Sequence, residues 1–167
     1  MSRFTTQFGS LDAFEKGRVE VIDDDPRHYA FSNMFDVASR ARPYEQVAVG
    51  KNRQYVLEVL RAEGTSAWRT CSHDQSALVM DGQVTVELVQ AGAEQQPAAD
   101  QEGSVPLPAG EPTGARMGSV VARHGHMVLL PANAAYRFSA EQPGVLLIQT
   151  IEGRDTRYRW AEICQTT

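Results

Sequence analysis

Two short stretches of the chain gather side chains that donate, accept or carry a proton. The first is Trp68-Arg69-Thr70-Cys71-Ser72-His73-Asp74-Gln75, and the second holds His124, Gly125, His126 and, further on, Tyr136 and Phe138. Cys71 and His73 invite a thiol nucleophile with a general base. As i, i+2 neighbours on one strand, however, they bring no third group to orient the imidazole, and that orientation is what such a pair depends on. His124 and His126 share a face across Gly125, as two metal ligands would, but two ligands are too few without a third close by. His73 has the strand parity of Arg69 and Cys71, so the three side chains should point to one side. A hydrogen-bonded interior histidine is the preferred role for His73, ahead of contact with a ligand. Trp68, Tyr136 and Phe138 add aromatic surface beside these groups. Core packing explains them, and a mouth lined by Trp, Tyr, one His and one Arg would also suit a small hydroxylated aromatic molecule.

The elements that would position these residues begin near Val47. Tyr55-Val-Leu-Glu-Val-Leu is β-branched and aromatic-rich, and Ala77-Leu-Val-Met-Asp-Gly-Gln-Val-Thr-Val-Glu-Leu-Val predicts a hairpin about an Asp81-Gly82 turn. Further strands are expected at Gly118-Ser-Val-Val-Ala, His126-Met-Val-Leu-Leu, Ala135-Tyr-Arg-Phe, Val145-Leu-Leu-Ile-Gln-Thr-Ile and Arg157-Tyr-Arg-Trp-Ala-Glu-Ile. Many short strands at regular spacing imply an all-β barrel or sandwich. Residues 91–115 are rich in Ala, Gln, Glu, Pro and Gly, too poor in apolar surface to order themselves, and read as a mobile insertion. Residues 1–46 read as an irregular arm ahead of a barrel at 47–167. In that arm Phe31, Met34 and Phe35 crowd without a clear period, and so large an apolar cluster must be covered, either by the barrel or by another subunit. The second possibility makes these three residues candidates for a partner interface.

The chain has 167 residues, 42% hydrophobic and 22% charged, which is the balance of one folded domain. A net charge of -5, with no basic run, disfavours nucleic acid and anionic membrane surfaces. No signal peptide or membrane span is legible, so a cytoplasmic location is expected. Cys71 and Cys164 form no CxxC unit and suggest neither a zinc site nor a disulfide framework.

The run Gly125-His-Met-Val-Leu-Leu-Pro131-Ala-Asn133-Ala-Ala-Tyr136 resembles the second motif of the cupin superfamily, with Asn133 at its usual glycine and Tyr136 at its metal-binding histidine. Asn tolerates the left-handed conformation that position requires. Counting back from Gly82, the ligand positions of the first cupin motif fall on Arg69, Cys71 and Gln75. The resemblance therefore implies a cupin jelly-roll barrel whose four ligand positions carry guanidinium, thiol, amide and phenol. Arginine does not ligate a metal and an amide oxygen is a weak neutral donor, so no metal is expected in this chain.

A closer resemblance is carried by Phe31-Ser-Asn-Met-Phe-Asp-Val-Ala-Ser, Val47-Ala-Val-Gly-Lys-Asn, Tyr55-Val-Leu-Glu-Val, Ser72-His-Asp-Gln, Val79-Met-Asp-Gly, Gly125-His-Met-Val-Leu-Leu-Pro and Ala135-Tyr-Arg-Phe. Together they are similar to the small subunit of two-subunit hydroquinone 1,2-dioxygenases, over nearly the whole chain. That resemblance implies a larger cupin-like partner that holds Fe(II) and cleaves the aromatic ring, with this metal-free chain supporting it and Trp68, His73, Tyr136 and Phe138 as candidates to line a shared substrate pocket. Two other readings stand beside it: a stand-alone metal-free cupin that binds a small aromatic ligand, and a metal-independent isomerase or cyclase using His73 and Tyr136 as acid and base.

Overall fold

In the computed structural model, residues 9–15, 19–21, 28–31, 33–108 and 110–159 are described. They form strands β1 (Val19–Val21), β2 (His28–Phe31), β3 (Val47–Asn52), β4 (Tyr55–Thr65), β5 (Arg69–Cys71), β6 (Gln75–Asp81), β7 (Gln83–Gln90), β8 (Ser104–Pro106), β9 (Arg116–Arg123), β10 (Met127–Leu130) and β11 (Ala134–Ile151), with one helix, α1 (Met34–Arg40). The strands curl into an all-β barrel of the cupin jelly-roll type, and β11 is its spine. The first half of β11 pairs with β7 and β5, and the second half with β4 and β6, all antiparallel. The stretches Ala135–Phe138 and Val145–Ile151, expected as two strands, are thus the two arms of one strand that bends at a register shift between Ala140 and Gly144.

The Asp81-Gly82 pair closes no hairpin. β6 and β7 pair with β11 on either side of its bend, and not with each other. Gly82 is therefore a corner between two strands that together follow the bend of β11. Its φ is +75°, and a Cβ there would lie 3.1 Å from Gly144 Cα. A corner and a two-residue turn ask for the same left-handed conformation, which is why the dipeptide signals either one. The strand expected from Arg157 is reduced to a parallel bridge between Arg157 and Val47, and residues 160–167 lie outside the described residues.

Inward positions on alternate residues fill the barrel: Leu60 and Ala62, Val84 and Val86, Tyr136 and Phe138, Leu146 and Ile148. A second cluster lies on the outer face, where Val47, Val49, Val59 and Val145 meet α1. Here the segment ahead of Val47 departs from the expected irregular arm. β2 pairs with β3 and extends the sheet, while Asn33 caps α1 by accepting from Phe35 N at 2.9 Å. Met34, Val37, Ala38 and Ala41 stand at i, i+3, i+4 and i+7, the spacing of a helix that lays one face on a surface. The helix ends at Arg40, and its cap residue Ala41 is already extended, two residues ahead of Pro43. Phe35 is 8% exposed and Met34 packs beside it. Phe35, expected as a candidate for a partner interface, is thus covered by the chain itself, while Met34 is only partly buried; the Phe31 side chain lies outside the described residues.

Residues 91–115, expected as a mobile insertion, are anchored by a buried set among their described residues, and Ala109 lies outside those described. β8 pairs with β5, and Val105 and Leu107 are buried. Gln95 is also buried and acts as a hub: Nε2 donates to Pro108 O at 3.1 Å and Glu111 O at 2.7 Å, and Oε1 accepts from Thr113 N at 2.8 Å. One side-chain amide supplies the order that the apolar content could not, since a buried amide can hold four hydrogen bonds.

Candidate functional site: the degenerate centre of the barrel

Arg69 on β5 and Tyr136 on β11 are direct cross-strand neighbours, and Gln75 opens β6 close by. Tyr136 donates from its hydroxyl to Gln75 Oε1 at 2.8 Å, and Gln75 Nε2 donates to Thr150 Oγ1 at 2.6 Å. Thr150 Oγ1 faces His73 Nε2 at 3.1 Å, and Ile151 N donates to the same nitrogen at 3.3 Å. Nε2 is therefore an acceptor, which puts the ring proton on Nδ1, facing Cys71 Sγ at 3.3 Å. A thiol needs a base to take its proton, and this imidazole presents a donor. Cys71 itself points its hydrogen at Gly103 O, 3.3 Å away, and burial pushes its thiol above the usual range. His73 is held below the ordinary imidazole value by burial, partly offset by Asp74, and is neutral at pH 7. The nucleophile pair is present in space without the polarity to work.

A second network adjoins the first. Arg69 donates from Nε to Ser104 Oγ at 2.9 Å and from Nη2 to Ser104 O, and pairs with Asp155 at 2.7 Å. Gln46 Nε2 bridges Ser104 Oγ at 2.8 Å to Glu58 Oε2 at 2.9 Å, and Thr156 donates to Glu58 Oε1 at 2.5 Å. Glu58 is 1% exposed, and burial raises its carboxyl above the usual range despite bonds from Thr156 and Gln46 and the charge of Arg69. The Tyr136 phenol is pushed far up by burial, which outweighs Arg69 and a bond with Ser104.

The four residues that the motif resemblance assigns to ligand positions are thus brought together, each already bonded to protein. A guanidinium held by a carboxylate, a thiol, an amide and a protonated phenol do not form a donor set for Fe or Mn, so the residues do not fit a metal here. Among the described residues no group of three or more His, Cys, Asp or Glu could hold a metal ion. His124 and His126 sit on the exposed turn between β9 and β10, where His126 Nδ1 accepts from Arg123 N. Asn133 takes φ +60°, as its place in the motif requires.

The aromatic residues expected to share a pocket divide between two faces. Tyr136 and Phe138 point inward, 5.4 Å apart and 1% exposed, with Tyr44 stacked on Phe138 at 6.3 Å. Trp68, one position before the inward Arg69, points outward and packs with Ala91, Leu107 and Ala135. Its Nε1 donates to Glu111 at 3.0 Å and Arg137 lies 4.5 Å from its ring. Trp68, Tyr136 and Phe138 therefore do not line one pocket in this chain, and strand parity is the signal that separates them. The sequence reading missed Gln46, Glu58, Ser104, Thr150 and Asp155. Of these, Glu58 alone was detectable, as a carboxylate with the inward parity of Val56 and Leu60 inside an apolar run.

The buried carboxyl carries a pH signature. A carboxyl whose folded value is raised favours folding fully below its unfolded value and loses that contribution as pH rises, because the unfolded carboxyl gives up its proton above about 4.3. Glu58→Gln keeps shape, an acceptor for Gln46 and a donor for Thr156, and removes the ionisation. Melting temperatures of the two proteins should diverge in favour of the variant between pH 5 and 8. Parallel curves would show that Glu58 is ionised throughout.

Fold and centre define a cupin-type barrel with a filled, non-ligating interior. No family model matches the chain, nor does any curated protein. Among solved structures, one of hydroquinone 1,2-dioxygenase from Sphingomonas sp. TTNP3 with 4-hydroxybenzoate bound contains a chain 53% identical, with TM-score 0.85, over 98% of this chain and 99% of that one. A structure of hydroquinone 1,2-dioxygenase PnpCD with Cd2+ and 4-hydroxybenzonitrile contains a chain 51% identical, with TM-score 0.83, over 98% of both. The chain belongs to the hydroquinone 1,2-dioxygenase family. A further structure of the Sphingomonas enzyme, in complex with 4-nitrophenol, contains a longer chain that shares the fold at 13% identity and TM-score 0.53, over 81% of this chain and 36% of that one. Among the described residues no helix is long and apolar enough to cross a membrane.

Proposed function

We propose that this chain is the metal-free small subunit of a cytoplasmic, Fe(II)-dependent hydroquinone 1,2-dioxygenase. It supports a longer cupin-type subunit that binds the iron and inserts both atoms of O2 between a hydroxylated ring carbon and its neighbour, yielding a semialdehyde. The observation that carries this reading is the occupied centre: Arg69, Cys71, Gln75 and Tyr136 are each bonded within the protein at the positions where the cupin motifs carry ligands, in a chain matching a dioxygenase chain end to end. The longer chain in the Sphingomonas structure is the kind of partner such a subunit needs. Iron held by that partner supplies the oxygen chemistry; the residues of this chain brace the complex. An isomerase using His73 and Tyr136 is the weaker reading, because the phenol donates to Gln75 and His73 Nε2 is taken up by Thr150 and Ile151.

Co-expression with the longer chain, followed by size exclusion, iron analysis and oxygen uptake with hydroquinone, tests this reading. The expected result is one complex with about one Fe per pair, all of it retained by the longer chain, and ring cleavage that falls at least 100-fold when this chain is omitted. Activity of this chain alone, or full activity of the longer chain without it, would overturn the proposal.

A further inference from the structure

The outer face of one side of the barrel is apolar and carries no charge across its width. β10, β6, β11 and β4 are hydrogen-bonded neighbours in that order, and β3 pairs with β4 beyond them. Their registers set the outward side chains in rows. The central row reads Leu129, Ser76, Gln149 and Leu57, with Met127 in the row on one side of it and Tyr55 in the row on the other. No outward position in these three rows is Asp, Glu, Lys or Arg. α1 packs on Val47 and Val59 at one end of the face. The remainder lies open: Met127 is 67% exposed, Tyr55 57%, Leu129 56% and Leu57 40%. The outer face formed by β7, β9 and the first half of β11 differs, for there Arg137 pairs with Glu87 and Arg123 with Gln83.

Four large apolar side chains on one face favour a cover, and the size of the face limits what that cover can be. Five strands about 4.8 Å apart and five residues of about 3.4 Å give a projected area of roughly 400 Å². Side-chain relief raises the accessible area towards about 600 Å², the lower bound for each partner in a specific interface. A reversible contact between folded surfaces fits that area.

The side chain at the centre selects the occupant. Gln149 stands exposed on β11, between Ser76 on one neighbouring strand and Leu57 on the other. A wholly apolar cover would bury its amide unpaired, and a charged one would lose its own hydration against a face with no opposite charge. An amide is both donor and acceptor, so across a two-fold axis it pairs with its own copy, and such an axis needs only one self-complementary patch. We propose that this face joins two copies of the chain, sheet packed on sheet, with Gln149 beside the two-fold axis. The proposal concerns this chain alone and stands apart from the subunit reading above.

The test is sedimentation equilibrium of the full chain from about 1 to 500 µM, a range that spans the weak affinities expected of so small an interface. Leu129→Glu and Leu57→Glu are compared with the wild type, each checked by circular dichroism and melting temperature, which the exposed Leu129 in particular should leave unchanged. The expected result is a reversible wild-type dimer, not loosened by raising salt, and dimerisation weakened at least tenfold in each variant. Gln149→Cys should oxidise to a covalent dimer whose peptide map joins the two introduced thiols. A wild type that stays monomeric over the whole range overturns the inference, as does a dimer that both Glu variants leave intact. A dimer that the longer dioxygenase chain splits, with Leu129→Glu failing to bind that chain, assigns the face to the longer chain; the two-copy inference then falls and the subunit reading stands.

Discussion

Replacing residues 91–115 with a short Gly-Ser linker should lower the melting temperature by more than about 10 °C, given that 1 kcal/mol moves a domain of this size by roughly 2–4 °C. The linker removes β8, which pairs with β5, and uncovers Trp68 by taking away Ala91, Leu107 and the Glu111 carboxylate. Exposing a tryptophan and losing two or three other apolar side chains costs about 4–6 kcal/mol at roughly 25 cal/mol per Å². Loop closure does not offset this, since halving a loop changes its entropy by only about 0.6 kcal/mol. Gln95→Ala should reproduce part of the loss, as it strands the Pro108 and Glu111 carbonyls and the Thr113 amide at about 1–3 kcal/mol for a buried group left unpaired. A fall below about 3 °C for the linker variant would place the cover of Trp68 elsewhere.

A chain beginning at Arg42 should fail to give a cooperatively folded barrel. The truncation removes β2 from the edge of β3 and strips α1 from the outer face of β3 and β4. Phe35, Val37, Ala38 and Ala41 go with it, and Val47, Val49, Val59 and Val145, all 6% exposed or less, turn to water. At about 1.5–3 kcal/mol for each large side chain, the sum reaches the total stability of a typical domain, about 5–15 kcal/mol. The measurement is urea unfolding followed by far-ultraviolet dichroism. Phe35→Ala is the milder companion, expected to cost about 3–5 kcal/mol without loss of fold. A truncated chain with a normal transition would show that the outer face is stable bare.

The two results bear on how far residue patterns reach. Most strands between Val47 and Ile151 were legible, β8 excepted, because strand alternation and β-branched runs are local properties. The insertion at 91–115 was misread because its order rests on Gln95, and a single amide satisfied by carbonyls and an amide far along the chain has no periodic signature. α1 was hidden among crowded aromatics, although Asn33 and the spacing Met34, Val37, Ala38, Ala41 carried it.

By itself the sequence determined the class of barrel, the left-handed turn at Asn133 and the guanidinium, thiol, amide and phenol at Arg69, Cys71, Gln75 and Tyr136, because each depends on residue type at a fixed spacing. Only the tertiary structure decided what those residues do instead. Tyr136 reaches Gln75 from 61 positions away, Arg69 finds Asp155 across 86, and Glu58 meets Thr156 across 98. It alone also decided that Asp81-Gly82 is a corner and that Trp68 faces away from Tyr136. Partners so distant in sequence are chosen by the path of β11 and the segments it brings together, and a charge or amide is defined chemically only once its neighbour is in place.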